Sequence, residues 1–251
     1  MKPYYRASGV AIYHADAREV LSQLNSESVD LVLTDPPYGI KYTTAARSPG
    51  RPRSAAGAEA PTTKYPSRLV PGPKEKITII GDDSLNTLRD VMPALDRLLK
   101  PDRHAYIFAS STRIGEAVEI VAAWWNVKNI LVWDKGQMGT KGDLEAAYSR
   151  NWEAIVYANK GRRPLHGPRP RAIYRYDWNA RKDPVHPTVK PVGLMSWLIQ
   201  KSSRRGELVL DPFCGSGPVL RAARDLGRRA IGVELEGCYC KETVARLEER
   251  P

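Results

Sequence analysis

The segment Asp35-Pro36-Pro37-Tyr38 carries the first group of residues suited to chemistry. It follows the apolar run VDLVLT, so Asp35 stands at the C-terminal end of a strand, where open α/β sheets bind their ligands. The prolines lack N–H groups and stiffen the turn, which leaves the Pro36 carbonyl without a local donor. A carboxylate and a carbonyl together accept both hydrogens of a planar –NH2 group, and Tyr38 adds an aromatic surface. The segment therefore suits an amino group on an aromatic ring, although a rigid turn with a capping aspartate explains it equally well.

A second apolar run, LVL, ends in an aspartate and leads into a glycine-rich turn that opens a helix. The residues of this segment are Asp211, Pro212, Phe213, Cys214, Gly215, Ser216 and Gly217. Glycines allow a ligand to approach the backbone, and the helix N-terminus offers free N–H donors. The turn lacks the GK[ST] of a triphosphate loop. Glu234 ends the next strand, at a place where an acid commonly binds ribose hydroxyls. The combination predicts an adenosine-containing cofactor; a dehydrogenase-like nucleotide domain or a degenerate binding fold is the alternative.

The apolar pattern predicts the elements that position these motifs. Seven short runs are expected to be strands: Ala11–His14, Val29–Thr34, His104–Ala109, Lys128–Trp133, Glu153–Ala158, Glu207–Leu210 and Ala230–Val233. Helical spacing is found between most of them, at 17–24, 85–99, 113–125, 191–203, 217–227 and 237–249. We expect Ser84 to cap the second helix and Pro93 to kink or split it. Continuous apolar strands alternating with helices predict a doubly wound α/β fold with a mostly parallel seven-stranded sheet.

Composition and charge narrow the class of protein. The chain has 251 residues, enough for a single domain, and contains no apolar run long enough to span a membrane and no secretory signal. Three cysteines without a zinc or disulfide pattern favour a reducing, cytoplasmic setting. The net charge of +11 is concentrated in residues 41–76 and 160–183. Two cationic, proline-rich segments favour a nucleic-acid partner, with solubilising surface charge as the alternative.

The two motifs, taken in this order, make most of the chain resemble the S-adenosylmethionine-dependent amino-methyltransferases of DNA. The order matches the circularly permuted group in which DPPY precedes the cofactor segment, and 131–136 and 152–157 resemble the family's middle segments. The resemblance implies that the catalytic residues are Asp35, Pro36, Pro37 and Tyr38. It implies that S-adenosylmethionine is bound by Asp16 near the adenine, Glu234 on the ribose, Asp35, Lys190 and the turn from Asp211 to Gly217. Lys190 would meet the cofactor carboxylate, but a helix-entry residue before Pro191 is the simpler alternative.

The resemblance also implies a reaction. Asp35 and Pro36 would accept the N–H bonds of an adenine N6 that has been flipped out of the duplex onto Tyr38. We expect no metal and no covalent intermediate, and Cys214 to be small and buried rather than nucleophilic. Aspartate in this motif favours adenine, whereas serine more often accompanies cytosine N4. The alternatives are cytosine-N4 transfer, a non-catalytic DNA-binding protein that retains the fold, and a methyltransferase of RNA or of a protein glutamine.

Double-stranded DNA is the expected partner. The family places target recognition between the middle segments and HPTVKP, which leaves only about 159–185 here, so either recognition is brief or the basic insertion 41–76 shares the task. Tyr174, Tyr176 and Trp178 would stack on bases or pack in the core. A homodimer, which is frequent among relatives, and a cognate restriction endonuclease are both left open.

Overall fold

The computed structural model describes residues 1–40, 82–136, 145–149, 151–176 and 190–249. These residues form nine strands and six helices. The strands are β1 (Tyr5–Ala7), β2 (Val10–His14), β3 (Val29–Thr34), β4 (Leu99–Ala109), β5 (Asn126–Asp134), β6 (Trp152–Lys160), β7 (Ile173–Arg175), β8 (Leu208–Asp211) and β9 (Arg229–Glu234). The helices are α1 (Ala17–Gln23), α2 (Asn86–Leu98), α3 (Ile114–Ala122), α4 (Val192–Ser202), α5 (Pro218–Asp225) and α6 (Gly237–Glu248).

All nine strands join one sheet in the order β1-β2-β9-β8-β3-β4-β6-β5-β7. The run from β2 to β4 is parallel throughout, and β6 is antiparallel to both of its neighbours. The seven predicted strands and the mostly parallel α/β fold are therefore confirmed. The sequence missed β1 and β7, because each has three residues and lies at an edge of the sheet, where it adds no apolar run.

Two hydrophobic clusters cover the two faces of the sheet. Strand β3 is buried along its whole length and alternates between them: Val32 packs on the face that carries α1, α2 and α3, whereas Leu31 and Leu33 pack on the face of α4, α5 and α6. This double burial explains why VDLVLT is a nearly continuous apolar run. The same packing holds the end of β3, directly before Asp35, between two layers of helices.

The start of α2 differs from expectation, and Pro93 does not split the helix. The N-cap is Leu85, while the Ser84 hydroxyl accepts the N–H of Asn86 at 3.3 Å. The helix runs unsplit through Pro93. Pro93 is exposed, so the Arg89 carbonyl that loses its helical partner can face water, and the buried apolar face keeps the helix continuous.

Three other expectations concern membrane-spanning helices, the cysteines and the basic insertion. Among the described helices, none has the length and apolar character needed to cross a bilayer. All three cysteines are free; Cys214 and Cys240 are buried and Cys238 is exposed. The basic insertion 41–76 lies outside the described residues, so its expected role stays a prediction.

Candidate active site

Four neighbouring parallel strands bring the predicted acids to one edge of the sheet. In the order β2, β9, β8, β3, these strands end beside Asp16, Glu234, Asp211 and Asp35, respectively. The carboxyl ends of parallel strands share an edge, which is where α/β sheets bind ligands. Four carboxyl groups therefore lie together in a chain whose net charge is +11. Such an edge favours a cationic ligand.

The Asp211 carboxyl ties the two motifs together. It is only 2% exposed, and its Oδ1 accepts the Thr34 hydroxyl at 2.7 Å and the Phe213 N–H at 3.1 Å. Burial raises the pKa of Asp211 to about 7, against the two hydrogen bonds. Because Thr34 directly precedes Asp35, the glycine-rich turn is fastened to the strand that carries the DPPY segment.

The glycines of the turn are required by its geometry. Gly217 has a φ of +79°, and a Cβ there would lie 2.4 Å from Cγ2 of Thr243. The Thr243 hydroxyl donates to the Gly215 carbonyl at 2.7 Å and holds the turn against α6. Gly215 also has a positive φ, +51°, but its Cβ direction meets nothing within 4 Å. The backbone is therefore open to a ligand at Gly215.

Glu234 and Asp16 flank this turn. The two Glu234 oxygens accept the Gly215 N–H at 2.9 Å and the Glu236 N–H at 2.8 Å, and burial raises the pKa of the carboxyl. Each carboxylate oxygen still has a lone pair for a hydroxyl donor. Asp16 is the N-cap of α1, and its bonds to Arg18 lower its pKa.

These residues fit the cofactor that the resemblance implies. The open backbone at Gly215, the half-buried Phe213 and the Glu234 carboxylate can hold an adenosine, and the surrounding acids suit its sulfonium charge. Cys214 is buried, as expected, and burial raises the pKa of its thiol, which disfavours a thiolate nucleophile. The roles of the individual turn residues, including Pro212 and Ser216, stay predictions.

Asp35 is partly open to solvent, with 31% of its side chain exposed. Its Oδ2 lies 2.7 Å from the Lys190 ammonium, and its Oδ1 accepts the Tyr38 hydroxyl at 2.5 Å. The Pro36 carbonyl accepts no hydrogen bond from the described residues. Asp35 is thus partly exposed and Pro36 is buried, and their joint binding of an amino group stays a prediction.

Behind Asp35 lies a network of charged side chains that the sequence did not reveal. Lys190 also lies 3.1 Å from Oε2 of Glu153, whose Oε1 pairs with the Lys135 ammonium at 2.5 Å. The Tyr38 hydroxyl lies 3.2 Å from the same Oε2 of Glu153. In the sequence, Glu153 and Lys135 appeared only inside the middle segments. The structure places Lys190 on the Asp35 carboxylate, and its expected role toward the cofactor stays a prediction.

The network fixes the charge states of its members. Burial alone would lower the pKa of Lys190, but Asp35 and Glu153 raise it above its ordinary value, so Lys190 is an ammonium. Burial would raise the pKa of Glu153, but Lys190 and Lys135 lower it. Burial and the two carboxylates raise the pKa of Tyr38 well above its ordinary value. Tyr38 is therefore a neutral phenol with one hydrogen to donate.

The exit of the DPPY segment is clamped at Gly39. Its N–H donates to Oδ1 of Asp82 at 2.7 Å, and its carbonyl accepts from Arg113 at 3.0 Å. Gly39 has a φ of +68°, and a Cβ there would lie 2.7 Å from the Ser84 backbone carbon. Only glycine fits this turn, which holds the chain close to α2 as it leaves the catalytic segment.

The described basic residues of the expected recognition segment lie at opposite edges of the sheet. Lys160 pairs with Asp96, and Arg163 pairs with Glu207 at the opposite edge of the sheet, where β8 begins. Arg175 ends β7 opposite Asp134 of β5, at the edge of the sheet where Asp35 lies, and is exposed.

The aromatic residues of this segment are used for packing where they are described. The ring of Tyr174 stacks on Trp197 of α4, with 4.3 Å between centroids, and Tyr176 crowds Gly193 of the same helix. Trp178 lies outside the described residues, as do 177–185 in general.

Comparisons with known proteins identify the family of the chain. A family model described as DNA methylase matches residues 29–245. The type II methyltransferase M2.DpnII of Streptococcus pneumoniae is 28% identical over 98% of this chain and 92% of its own length. The type II methyltransferase M2.LlaDCHI of Lactococcus lactis subsp. cremoris is 27% identical over 99% of this chain and 93% of its own length.

Solved structures share the fold. The complex of M1.HpyAVI with SAM matches 95% of this chain and 100% of its own, with a TM-score of 0.66 and 22% identity. The PvuII DNA methyltransferase, described as cytosine-N4-specific, matches 99% of this chain and 90% of its own, with a TM-score of 0.73 and 16% identity. At these identities the likeness concerns the fold alone.

Proposed function

The chain belongs to the family of S-adenosylmethionine-dependent DNA amino-methyltransferases, and from that membership we propose that it methylates the exocyclic N6 of adenine in double-stranded DNA. The observation that supports this choice is the catalytic segment itself. Asp35 presents a partly exposed carboxylate at the ligand-binding edge, beside a Pro36 carbonyl that accepts no hydrogen bond from the described residues. In the resembling family, aspartate at this position favours adenine.

Two oxygens of this chain carry the proposed chemistry. S-adenosylmethionine supplies an electrophilic methyl group on a sulfonium. The lone pair of adenine N6 is delocalised into the ring, so the amine is a poor nucleophile. By accepting both N–H bonds, Asp35 and Pro36 favour a pyramidal nitrogen with a localised lone pair. They also stabilise the positive charge that develops on that nitrogen as its bond to the methyl group forms and the bond from sulfur to methyl breaks. The methylated nitrogen then loses its extra proton to solvent.

The target base must leave the helix to reach these oxygens, because N6 is paired and stacked inside duplex DNA. Tyr38 lies next to Asp35 and offers a ring against which the extruded base can stack. Its hydroxyl donates to Oδ1 of Asp35, so this bond must open or be shared when the amine binds.

We assign cofactor binding to the glycine-rich turn and its flanking acids. Gly215 offers an open backbone, Glu234 offers acceptors to the ribose, and Asp16 lies at the end of the neighbouring strand. Asp211 supports the turn from within rather than through an exposed face.

Binding to DNA is expected to use the basic segments, 41–76 and 159–185. Their excess positive charge suits phosphates, whereas the family resemblance supplies the expectation of sequence recognition. A homodimer, a cognate restriction endonuclease and a cytoplasmic setting stay predictions.

Cytosine N4 is the competing substrate. The family includes enzymes for both amines, and a cytosine-N4-specific enzyme shares the fold. Both amines carry two hydrogens, so the pair of acceptors alone does not choose between them. The choice rests on Asp35 at the first position of the motif.

One experiment separates these functions. The protein is incubated with unmethylated DNA and methyl-labelled S-adenosylmethionine, and the DNA is digested to nucleosides for mass analysis. We expect labelled N6-methyladenine, and none from an Asp35→Ala variant that still binds the cofactor by calorimetry. Label in N4-methylcytosine would transfer the proposal to the other amine, and an unlabelled digest would refute catalysis on DNA.

A further inference from the structure

The charged network behind Asp35 contains two carboxylates, two ammonium groups and one phenol. Lys190 lies between Asp35 and Glu153, at 2.7 and 3.1 Å, and is only 8% exposed. Glu153 is 16% exposed and lies at the second residue of β6, the strand that starts at the catalytic edge. Glu153 therefore contacts both of the groups that bond to the Asp35 carboxylate, the Lys190 ammonium and the Tyr38 hydroxyl.

We propose that Glu153 is a positioning residue for methyl transfer, which acts on Asp35 through Lys190 and Tyr38. This inference rests on the proposed function and deepens it. Glu153 has two effects, one on the charge that Asp35 experiences and one on the hydrogen bonds that Asp35 has free.

The first effect is on charge. With Glu153 in place, the Lys190 ammonium is shared between two carboxylates. Without that second partner, the ammonium would be drawn onto Asp35 alone and would weaken its carboxylate as an acceptor for the amine. The other charged group in contact with Glu153 is Lys135, so the four charges of the network sum to zero. Asp211, on the neighbouring strand β8, is the next acid facing Asp35.

The second effect is on Tyr38. Its one hydrogen is donated to Oδ1 of Asp35 at 2.5 Å, while Oε2 of Glu153 lies 3.2 Å from the same hydroxyl. Glu153 therefore offers a ready second acceptor. When a substrate amine approaches Asp35, the hydroxyl can turn to Glu153 and release Oδ1 without leaving its hydrogen unbonded in a buried place.

The charge effect can be measured without any methyl transfer. Aspartate is labelled with ¹³C at its carboxyl carbon, and the Asp35 signal is identified by its loss in Asp35→Asn. Its titration is then followed in otherwise unmodified protein and in folded variants, checked by circular dichroism. Glu153→Gln removes a negative charge and should lower the Asp35 titration midpoint by about one pH unit. Lys190→Met removes a positive charge and should raise it by about one pH unit or more.

Two further variants make this test specific. The double variant Glu153→Gln with Lys190→Met restores the balance of charge and should return the midpoint toward that of the unmodified protein. Lys100→Met is the matched control, because Lys100 lies 2.7 Å from Asp30 at the other end of β3, the same separation as Lys190 from Asp35. It should leave the Asp35 midpoint unchanged. Equal midpoints in the unmodified protein and both single variants would overturn the charge effect.

The hydrogen-bond effect is tested by single-turnover methylation. Glu153→Gln should slow the step about a hundredfold, as expected for misplacement of a reacting group. In a Tyr38→Phe background there is no hydroxyl to relocate, so the same substitution should cost clearly less. Additive losses would overturn this part of the inference. If the unmodified protein fails to methylate DNA, the proposed function falls, and the titration alone decides the charge effect.

Discussion

The two ends of β3 carry two aspartates with opposite surroundings. Asp30, near the start, is 3% exposed on its side chain and receives Lys100 at 2.7 Å, Arg103 at 3.2 Å and a backbone N–H of β8 at 3.0 Å. Asp35, just past the end, has Lys190 at the same 2.7 Å but is 31% exposed. Both have a close lysine, so the ion pair alone does not mark the functional residue.

The two aspartates differ in how far their carboxylate oxygens are still available to a new hydrogen-bond donor. Burial alone would raise the pKa of Asp30, but its three donors lower it below its ordinary value. At Asp35, burial raises the pKa, Lys190 opposes that shift and Glu153 adds to it. A saturated carboxylate holds strands together, whereas a partly open one with competing charges can exchange partners. Under the proposed function, the same strand thus provides stability at one end and chemistry at the other.

The largest effect should come from Asp35→Asn. The amide retains the shape but presents a donor where the amine needs an acceptor, so we expect the rate of methyl transfer to fall about a thousandfold. Thermal unfolding should change little, because Lys190 keeps Glu153 as a partner. Single-turnover rates and melting curves measure the two quantities; a normal rate would remove Asp35 from the mechanism.

The same substitution at the other end of the strand should do the reverse. Asp30→Asn leaves Lys100 and Arg103 without their shared carboxylate and should cost about 3 kcal/mol of unfolding free energy. The rate per folded molecule should stay close to normal. Urea denaturation combined with activity per folded fraction tests this, and a large rate loss with intact stability would contradict the division between the two ends.

The pH dependence of stability should also differ between the edges. His104, buried at the far edge between Ser202 and the Arg163 carbonyl, has its pKa lowered by burial to about 4 from 6.5. The unfolded chain binds more protons between these values, so His104 makes stability rise with pH over that window. Asp211, with its pKa raised to about 7 from 3.8, makes stability fall as pH rises from about 4 to about 7.

Substitution separates these two opposed contributions. His104→Gln removes a positive contribution, so between about pH 4 and 6.5 the slope of unfolding free energy against pH should become more negative than in the unmodified protein. Asp211→Asn removes a negative contribution, so the slope should become more positive. Urea denaturation at several pH values measures the slopes. Parallel profiles for both variants would show that neither group titrates as its surroundings indicate.

The smallest effect concerns DNA affinity. Arg175 is exposed at the catalytic edge, whereas Arg162 is exposed near the far edge, so the two form a matched pair. Arg175→Ala should weaken binding several-fold and reduce the salt slope by about 1, as loss of one phosphate contact does. Arg162→Ala should change neither quantity. Fluorescence anisotropy at several salt concentrations checks this, and equal losses would show that DNA contacts both edges.

Much of the catalytic edge was predictable, because strand ends can be located in a sequence. Asp35, Asp211 and Glu234 each follow an apolar run, and parallel strands bring such ends together. The glycine-rich turn and the burial of Cys214 followed from the same reasoning.

The rest depended on contacts between distant parts of the chain. Glu153, Lys135 and Lys190 lie on separate elements, and nothing local indicates that their charges meet behind Asp35. The sequence also did not predict that the basic residues of 159–185 lie at both edges of the sheet, because the charge density along the chain does not indicate where the chain turns. Strand β7 returns the chain to the catalytic edge, but its three residues leave no signal in the sequence.

The central claim is that a carboxylate oxygen of Asp35 and the carbonyl oxygen of Pro36 jointly hold the target amine. A crystal structure of the protein with duplex DNA and a non-transferable analogue of S-adenosylmethionine tests it most directly. We expect an extruded adenine whose N6 lies within hydrogen-bond distance of both oxygens, with the Tyr38 hydroxyl turned to Glu153. An extruded base whose amine faces other groups, while Asp35 remains closed by Tyr38 and Lys190, would contradict it.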